Sequence, residues 1–424
     1  KGKYDQFMTL SQMDWNPRLY WPGIYQNNFN GNEMFSAGYL MGTFDIGPRL
    51  TILAGARFEQ YNMQYKANFD YVTHSVYGDA FIMPDSLMAK AGINNRIDRT
   101  DHNIFPNAQF RFKFNDWSDL RFAFTEGISR PDYNAIMPNV YLEPGGYAYA
   151  GNPKLKPAMS TNLDAALSFY SNEIGLFTVA PFYKRIQNFF YYTNIYFRNL
   201  DRYNVSFPDS LQFATMGYVG KQMPDASSSI GSYINNPYPA HVRGFELEWQ
   251  TNFWYLPQPL NSLVLNVNYT KTWSDMDYQQ EINRAIPYKD AKGHTLYNYY
   301  TIDTIYNTRL VFQPNDVLNV AFGVDYKGFS GRISFNLQGN VITSVGSRPE
   351  EDQYTGNIYR WDFTLQQKLP VEGLTIALLG TNIFNNAVYT YQDFRRVIDG
   401  PILHNEESVD YSPRTLQLSL RYSY

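Results

Sequence analysis

The chain closes on a segment in which Leu416, Leu418, Leu420, Tyr422 and Tyr424 alternate with Gln417, Ser419, Arg421 and Ser423. Side chains of an extended strand point to opposite faces in turn, so a strict two-residue period describes a strand with one face in an apolar medium and the other in water. The pattern recurs in Arg332–Gln338, where Ile333, Phe335 and Leu337 oppose Arg332, Ser334, Asn336 and Gln338. It recurs again in Tyr359–Gln366, where Tyr359, Trp361, Phe363 and Leu365 oppose Arg360, Asp362, Thr364 and Gln366. Further segments are Leu50–Glu59, Gln109–Phe114, Leu120–Thr125, Phe245–Gln250, Leu263–Thr270 and Leu318–Tyr326. Each is close to the ~9 to 11 residues that a tilted strand needs to cross a bilayer. A soluble sandwich would show the same alternation, so the connections must separate the two.

They fall into two alternating classes. The short ones are Asp45–Pro48, Asn115–Trp117, Ser171–Glu173, Tyr255–Asn261, Gly328–Ser330 and Leu369–Glu372. The long ones contain Asn68–Asn103, Asp132–Pro157, Asn194–Pro239, Ser274–Pro314, Thr343–Asn357 and Ala387–Pro413. Outer-membrane barrels pair short periplasmic turns with long extracellular loops, whereas a sandwich rarely inserts ~30 residues at every second connection. The expectation is an all-β, transmembrane antiparallel barrel of about thirteen strands, its first strand near Met34–Ile46. Bacterial barrels close with an even number of strands, and Trp15–Gly23 before the first strand has the composition of a loop. The whole of residues 1–424 is therefore expected to be the C-terminal part of a larger barrel whose remaining strands, and any plug, lie upstream.

Composition excludes several alternatives. A hydrophobic content of 44% with a mean hydropathy of -0.43 excludes a bundle of membrane helices, and no stretch approaches ~18 uninterrupted apolar residues. The aromatic content of 17%, with 37 Tyr and 30 Phe, suits interfacial belts and ligand-gripping loops. Zero cysteines remove disulfide and thiolate sites. A net charge of -4 with no basic block leaves no footprint for nucleic acid. Lys1-Gly-Lys-Tyr-Asp5 is not followed by the apolar core of a signal peptide. Nothing divides the chain into separate domains.

At Gly151-Asn-Pro-Lys-Leu-Lys-Pro157 the chain resembles the TonB-dependent outer-membrane receptors, whose barrels often carry such a stretch before a strand. Arg121–Tyr133, with Ser129-Arg130-Pro131, resembles a second piece of that family, and Phe177–Phe189, with Phe182-Tyr183-Lys184, a third. Val242–Glu248 and Gly380–Asn385 are similar to two more, and the five follow the family's order from about Arg57 to Tyr424. The resemblance implies about thirteen of about 22 strands, a globular plug outside this chain, and opening by an inner-membrane energy complex through an N-terminal TonB-contacting segment. It implies import of a scarce nutrient such as a siderophore, haem, cobalamin, an oligosaccharide or a peptide. Outer-membrane lipid and a small nutrient ligand are the implied partners, and a surface lipoprotein is a further one.

The individual motifs carry modest chemistry. Gly151–Pro153 suits a structural turn into a strand from Ala158, with Lys154 and Lys156 solvated beside it. Asp98, Asp101 and His102, and Glu350, Glu351 and Asp352, suit acidic surface loops, and no histidines sit at metal-ligand spacing, so neither a metal nor another cofactor is expected. Tyr141, Tyr147 and Tyr149, and Tyr297, Tyr299 and Tyr300, are the loop residues expected to contact a ligand by stacking, with belt and loop packing as the competing role. Phe189–Tyr192 is expected to continue a strand. Glu246 and Glu248 belong to a strand's polar face, and no nucleophile elbow or phosphate loop gives enzyme chemistry a seat. Beside a plugged importer, a passive porin and a soluble carbohydrate-binding or hydrolytic β-protein remain open.

Overall fold

The computed structural model describes residues 29–67, 70–73, 79–82, 96–137, 140–142, 148–196, 199–205, 229–346, 349–395 and 401–423. Tyr424 and the loop-like segment Trp15–Gly23 lie outside these residues. Thirteen strands follow one another as antiparallel neighbours in a single wall. They are β1 (Phe29–Ile46), β2 (Leu50–Ala67), β3 (Arg96–Asn115), β4 (Ser118–Ser129), β5 (Ala158–Ser171), β6 (Gly175–Gln187) and β7 (Ala240–Asn252). Then come β8 (Leu263–Lys289), β9 (Asp316–Tyr326), β10 (Phe329–Gln338), β11 (Ile358–Lys368), β12 (Leu374–Thr381) and β13 (Thr415–Tyr422). The expected count and the six short connections both hold. Among the described residues β1 and β13 each have one wall neighbour, so the sheet is open at both edges. No helix among them is long and apolar enough to cross a membrane, which says nothing of a barrel that crosses with strands.

Local chemistry makes the tight turns. Between β9 and β10, Tyr326 pairs with Phe329, leaving Lys327 and Gly328 as a two-residue loop with φ of 46° and 80°. Two positive φ values match the right-handed twist of the flanking strands, and Gly328 adopts one without steric cost.

Register then sorts the faces, because directly paired residues share a side. Thr51 pairs with Arg111, Arg111 with Arg121, and Glu246 with Thr270. These residues line one concavity of about 890 Å³ that spans β1 to β8, so the polar set occupies the concave, lumen side. On the convex side Phe112, Leu120, Leu167, Val179, Leu247 and Tyr269 form an unbroken row of partners across six strands. Pairs from Tyr269 to Leu318, Leu337 and Tyr359, and from Leu365 to Leu378 and Leu418, carry the row to the last strand. Ile333, Phe335, Leu337, Leu416, Leu418 and Leu420 thus share the apolar face, as their alternation implied.

Aromatic belts bound that face. At the short-turn end Trp117, Phe169 and Phe177 stack at 5.9 and 6.5 Å. The indole N–H groups of Trp249 and Trp254 donate to the carbonyls of Ile174 and Asn172 at 2.9 and 2.7 Å. At the other end Trp361 packs on Phe335 and Phe384 at 4.6 and 5.9 Å. An amphipathic ring that needs one polar partner suits a lipid headgroup boundary.

Two of the recurring sequence pieces meet across β6 and β7. Phe182 pairs with Gly244, and a Cβ at Gly244 would overlap both the Phe182 ring and the Lys271 carbonyl oxygen. Gly244→Val should therefore cost ~1 to 3 kcal/mol through forced displacement in a packed layer. A urea titration of the folded barrel checks this, and a wild-type midpoint would contradict the close approach.

One long connection is built as regular structure. Ser274–Pro314, expected as a loop, is instead a hairpin: β8 runs on past the wall and pairs from Met276 to Lys289 with Thr308 back to Thr295. Its base is buried among Tyr191, Ile195, Tyr203, Ile230, Ile234 and Leu310, which pack around Met276 and Tyr278. Glu281 accepts from the Asn199 side chain at 2.8 Å, and Arg202 pairs with Asp303, so the 199–205 turn is clamped to the hairpin.

Candidate ligand-contact surface

At the long-loop end of the wall, aromatic residues take over lumen positions that carry Thr, Arg and Gln lower down. Tyr61, Met63 and Tyr65 of β2 stand on the same parity as Thr51 and Arg57, and opposite them on β1 are Phe35 and Glu33. The Glu33 carboxylate accepts hydrogen bonds from the hydroxyls of Tyr61 and Tyr65, and from that of Tyr133 at 3.0 Å. Tyr133 is delivered by α1 (Tyr133–Ile136), a single turn capped by Asp132, whose side chain accepts from Ala135 N–H at 2.9 Å. Arg130, the centre of Ser129-Arg130-Pro131, lies 4.6 Å over the Tyr61 ring and bonds Glu59 at 3.2 Å. Arg57 also bonds Glu59, at 2.7 Å, and Arg99 bonds Asp101 at 2.8 Å. A cation held by both a ring face and a carboxylate is fixed in place.

The Gly-Asn-Pro corner braces this region. Asn152 is 2% exposed; its side chain donates to the Tyr233 carbonyl at 3.0 Å and accepts from Lys154 N–H at 3.0 Å. Leu155 is fully buried beside Met63, Tyr65, Ile97 and Ile136, and Arg99 donates to its carbonyl. The expected structural turn into β5 is thus observed, with Lys154 and Lys156 exposed at its rim.

Above the wall lies a sheet of Val140–Leu142, Ala148–Ala150, Ser229–Asn235 and Phe190–Tyr196. Its inner face, with Tyr191, Ile195, Ile230 and Ile234, joins the core under the hairpin. Its other face carries Tyr149, Tyr192 and Tyr233, and Tyr233 packs on the cluster that holds Tyr65 and Leu155. Tyr192 meets Tyr233 edge-on at 5.4 Å and stacks with Tyr149 at 6.5 Å and 20°. A continuous row of rings therefore leads from the wall to the loop sheet.

The expectation that Phe189–Tyr192 continues a wall strand is corrected. β6 ends at Gln187, Asn188 takes a left-handed φ of 52°, and the chain restarts at Phe190 in the loop sheet. A single αL residue redirects the strand, and Asn is among the few types that adopt that conformation readily.

Of the six tyrosines expected to contact ligand, Tyr149 joins the row. Tyr141 lies opposite Tyr149 by backbone register, and Tyr147 lies outside the described residues. Tyr297, Tyr299 and Tyr300 belong to the tall hairpin, a separate element. There Tyr297 and Tyr300 take opposite faces and do not converge, and the side chain of Tyr299 lies outside the described residues. Glu33, Tyr61, Tyr65 and Tyr233 escaped the sequence reading, while Arg130 and Tyr133 entered it only within a recurring piece and Tyr192 only as part of the run Phe189–Tyr192. The available signal was Tyr61 and Tyr65 on the polar parity of β2.

The acidic surface loop at Glu350–Asp352 is also corrected. Asp352 is fully buried and accepts hydrogen bonds from the Tyr306 hydroxyl at 2.8 Å and Gly346 N–H at 2.9 Å, tying its loop to the hairpin. Burial outweighs these bonds and, with Asp393 and Glu351 nearby, holds its carboxyl above the ordinary carboxylate range. The folded loop thus binds a proton more readily than the unfolded chain. Its closure is favoured most below the ordinary carboxylate value and loses that contribution as pH rises through the raised one. Amide exchange over residues 341–346 and 352–355, corrected for its intrinsic pH dependence, should show more protection in acid, and Asp352→Asn should remove the difference. Among the described residues no group of three His, Cys, Asp or Glu is placed to hold a metal.

The family model described as TonB dependent receptor-like, beta-barrel, matches residues 2–385. Comparison with curated protein sequences finds no match. Among solved structures, the ferric yersiniabactin uptake receptor of Yersinia pestis superposes with a TM-score of 0.52 at 14% identity over 93% of this chain and 46% of that one. A Serratia marcescens hemophore receptor in complex with its hemophore and heme gives 0.53 at 13%, over 92% and 51%. A copper transporter gives 0.55 at 12%, over 93% and 50%. This chain thus spans about half the length of the structures it matches, and at such identity they share its fold alone. The convex apolar face, the two aromatic belts and the family match agree: the chain belongs to the TonB-dependent receptors and forms part of their outer-membrane β-barrel.

Proposed function

We propose that this chain is the C-terminal part of the barrel of an importer that captures a scarce nutrient at the long-loop mouth and moves it inward with energy from the TonB complex. The observation that carries this is the ring row from Tyr61 to Tyr149, on the lumen side of the mouth, where a ligand entering from outside would first meet the wall. In this reading, strands, a plug and a TonB-contacting segment outside the chain complete the receptor. The neighbouring structures are named for cargoes as different as ferric yersiniabactin, heme and copper, so cargo has to be sought in this chain's own residues. A ligand held tightly in a plugged barrel cannot be released repeatedly by its own binding energy, so release requires an external drive.

Uptake by the full-length receptor should collapse when the inner membrane is uncoupled, while binding at the cell surface persists. Uptake that continues unchanged and rises linearly with concentration would replace this reading with a passive pore.

A further inference from the structure

The row of rings has a charge balance that restricts its ligand. Lining it from the wall are three cations, Arg57, Arg99 and Arg130, and three carboxylates, Glu33, Glu59 and Asp101. Glu59 binds both Arg57 and Arg130, Asp101 binds Arg99, and Glu33 is held by three tyrosine hydroxyls. Asp132 is engaged as the α1 cap. An anionic chelate would have to draw Arg99 away from Asp101, leaving that carboxylate uncompensated, or take Arg57 or Arg130 from the Glu59 carboxylate that the two share. Beside the ring row, the described part of the wall thus offers ring faces, and Arg57, Arg99 and Arg130 are each already paired.

Shape points the same way. Tyr133, Tyr192 and Tyr149 expose 43%, 45% and 41% of their surface, while Tyr65 is buried at 5%. The exposed rings are set along a row, with Tyr133 on Tyr65 at 5.2 Å and Tyr149 on Tyr192 at 6.5 Å. A compact chelate needs donors converging from several sides. A row of ring faces with hydroxyl edges suits a chain of flat, C–H-faced units that carry hydroxyls.

We infer that this surface takes a linear, uncharged, polyhydroxylated oligomer, the chemistry of a neutral oligosaccharide, with Tyr133, Tyr149 and Tyr192 as its stacking residues. The inference rests on the importer reading for the transport step after capture; capture itself is measurable without transport. Lys154 and Lys156, exposed at the rim and without a carboxylate partner in any ion pair of the described residues, would serve an anion instead, which makes them the discriminating control.

The test uses the full-length receptor in detergent, probed with an array of neutral oligosaccharides, with oligogalacturonates and ferric citrate as anionic probes. A neutral oligosaccharide should bind. Tyr149→Ala and Tyr192→Ala should each weaken it about three- to tenfold, with Tyr192→Phe retaining most of the affinity. Lys154→Ala/Lys156→Ala, and an increase in salt from about 0.05 to about 0.5 M, should leave it unchanged. Retained heat-modifiable gel mobility of each variant establishes that the barrel has folded. The inference is overturned if only the anionic probes bind, if no neutral oligosaccharide binds, or if one binds and the tyrosine variants do not weaken it. Energised uptake of an anionic ligand would sink the inference and leave the importer standing. Oligosaccharide binding with uptake indifferent to uncoupling would do the reverse.

Discussion

Arginine at position 333 is expected to cost ~2 to 4 kcal/mol of folding free energy, and arginine at position 334 almost nothing. Ile333 pairs with Phe322 on one side and Phe363 on the other, midway along β10, within the apolar face between the two belts. Placing a guanidinium there puts it in the hydrocarbon layer with no partner. Ser334 pairs with Ala321 and Asp362 on the opposite, lumen side, where the new charge meets water and a carboxylate. The two substitutions are adjacent in sequence and chemically alike, so a difference between them reports the medium each face meets. Equal shifts of the two variants in a folding titration into lipid vesicles would count against a lipid-facing convex side.

Labelling of single cysteines is expected to divide all-or-none. Asn405 lies on the hairpin Ala387–Arg395 and Ile402–Tyr411, and Lys292 at the tip of the tall hairpin; both are exposed at the long-loop end. Glu372 is exposed in the short turn between β11 and β12, at the opposite end. The sequence holds no cysteine, so each introduced thiol is the only one it carries. On intact cells an impermeant maleimide should label Asn405→Cys and Lys292→Cys, and Glu372→Cys only after the outer membrane is permeabilised. The physical basis is that periplasmic turns in such barrels are short and exterior loops long. Labelling of Glu372→Cys alone on intact cells would invert the orientation.

The alternation in Arg332–Gln338, Tyr359–Gln366 and the last strand was enough to place a two-faced wall, and the spacing between such segments placed its short turns. That much is local: every strand crosses between the same two media, so each must repeat the same period, and a two-residue turn carries its φ requirements in its own sequence. The surface above the wall is not local. Tyr191 and Tyr192 take opposite faces as neighbours in any strand do, but that one face becomes the loop core and the other the mouth follows from where the strand goes after the turn at Asn188. Glu33 meets Tyr133 across a hundred residues of chain. Asp352 looks like one of three surface acids until Tyr306, from the returning strand of the hairpin, closes over it. Period and turn chemistry are written into consecutive residues, whereas these contacts depend on which loops the curved wall brings together at its mouth, and only the tertiary structure decides that.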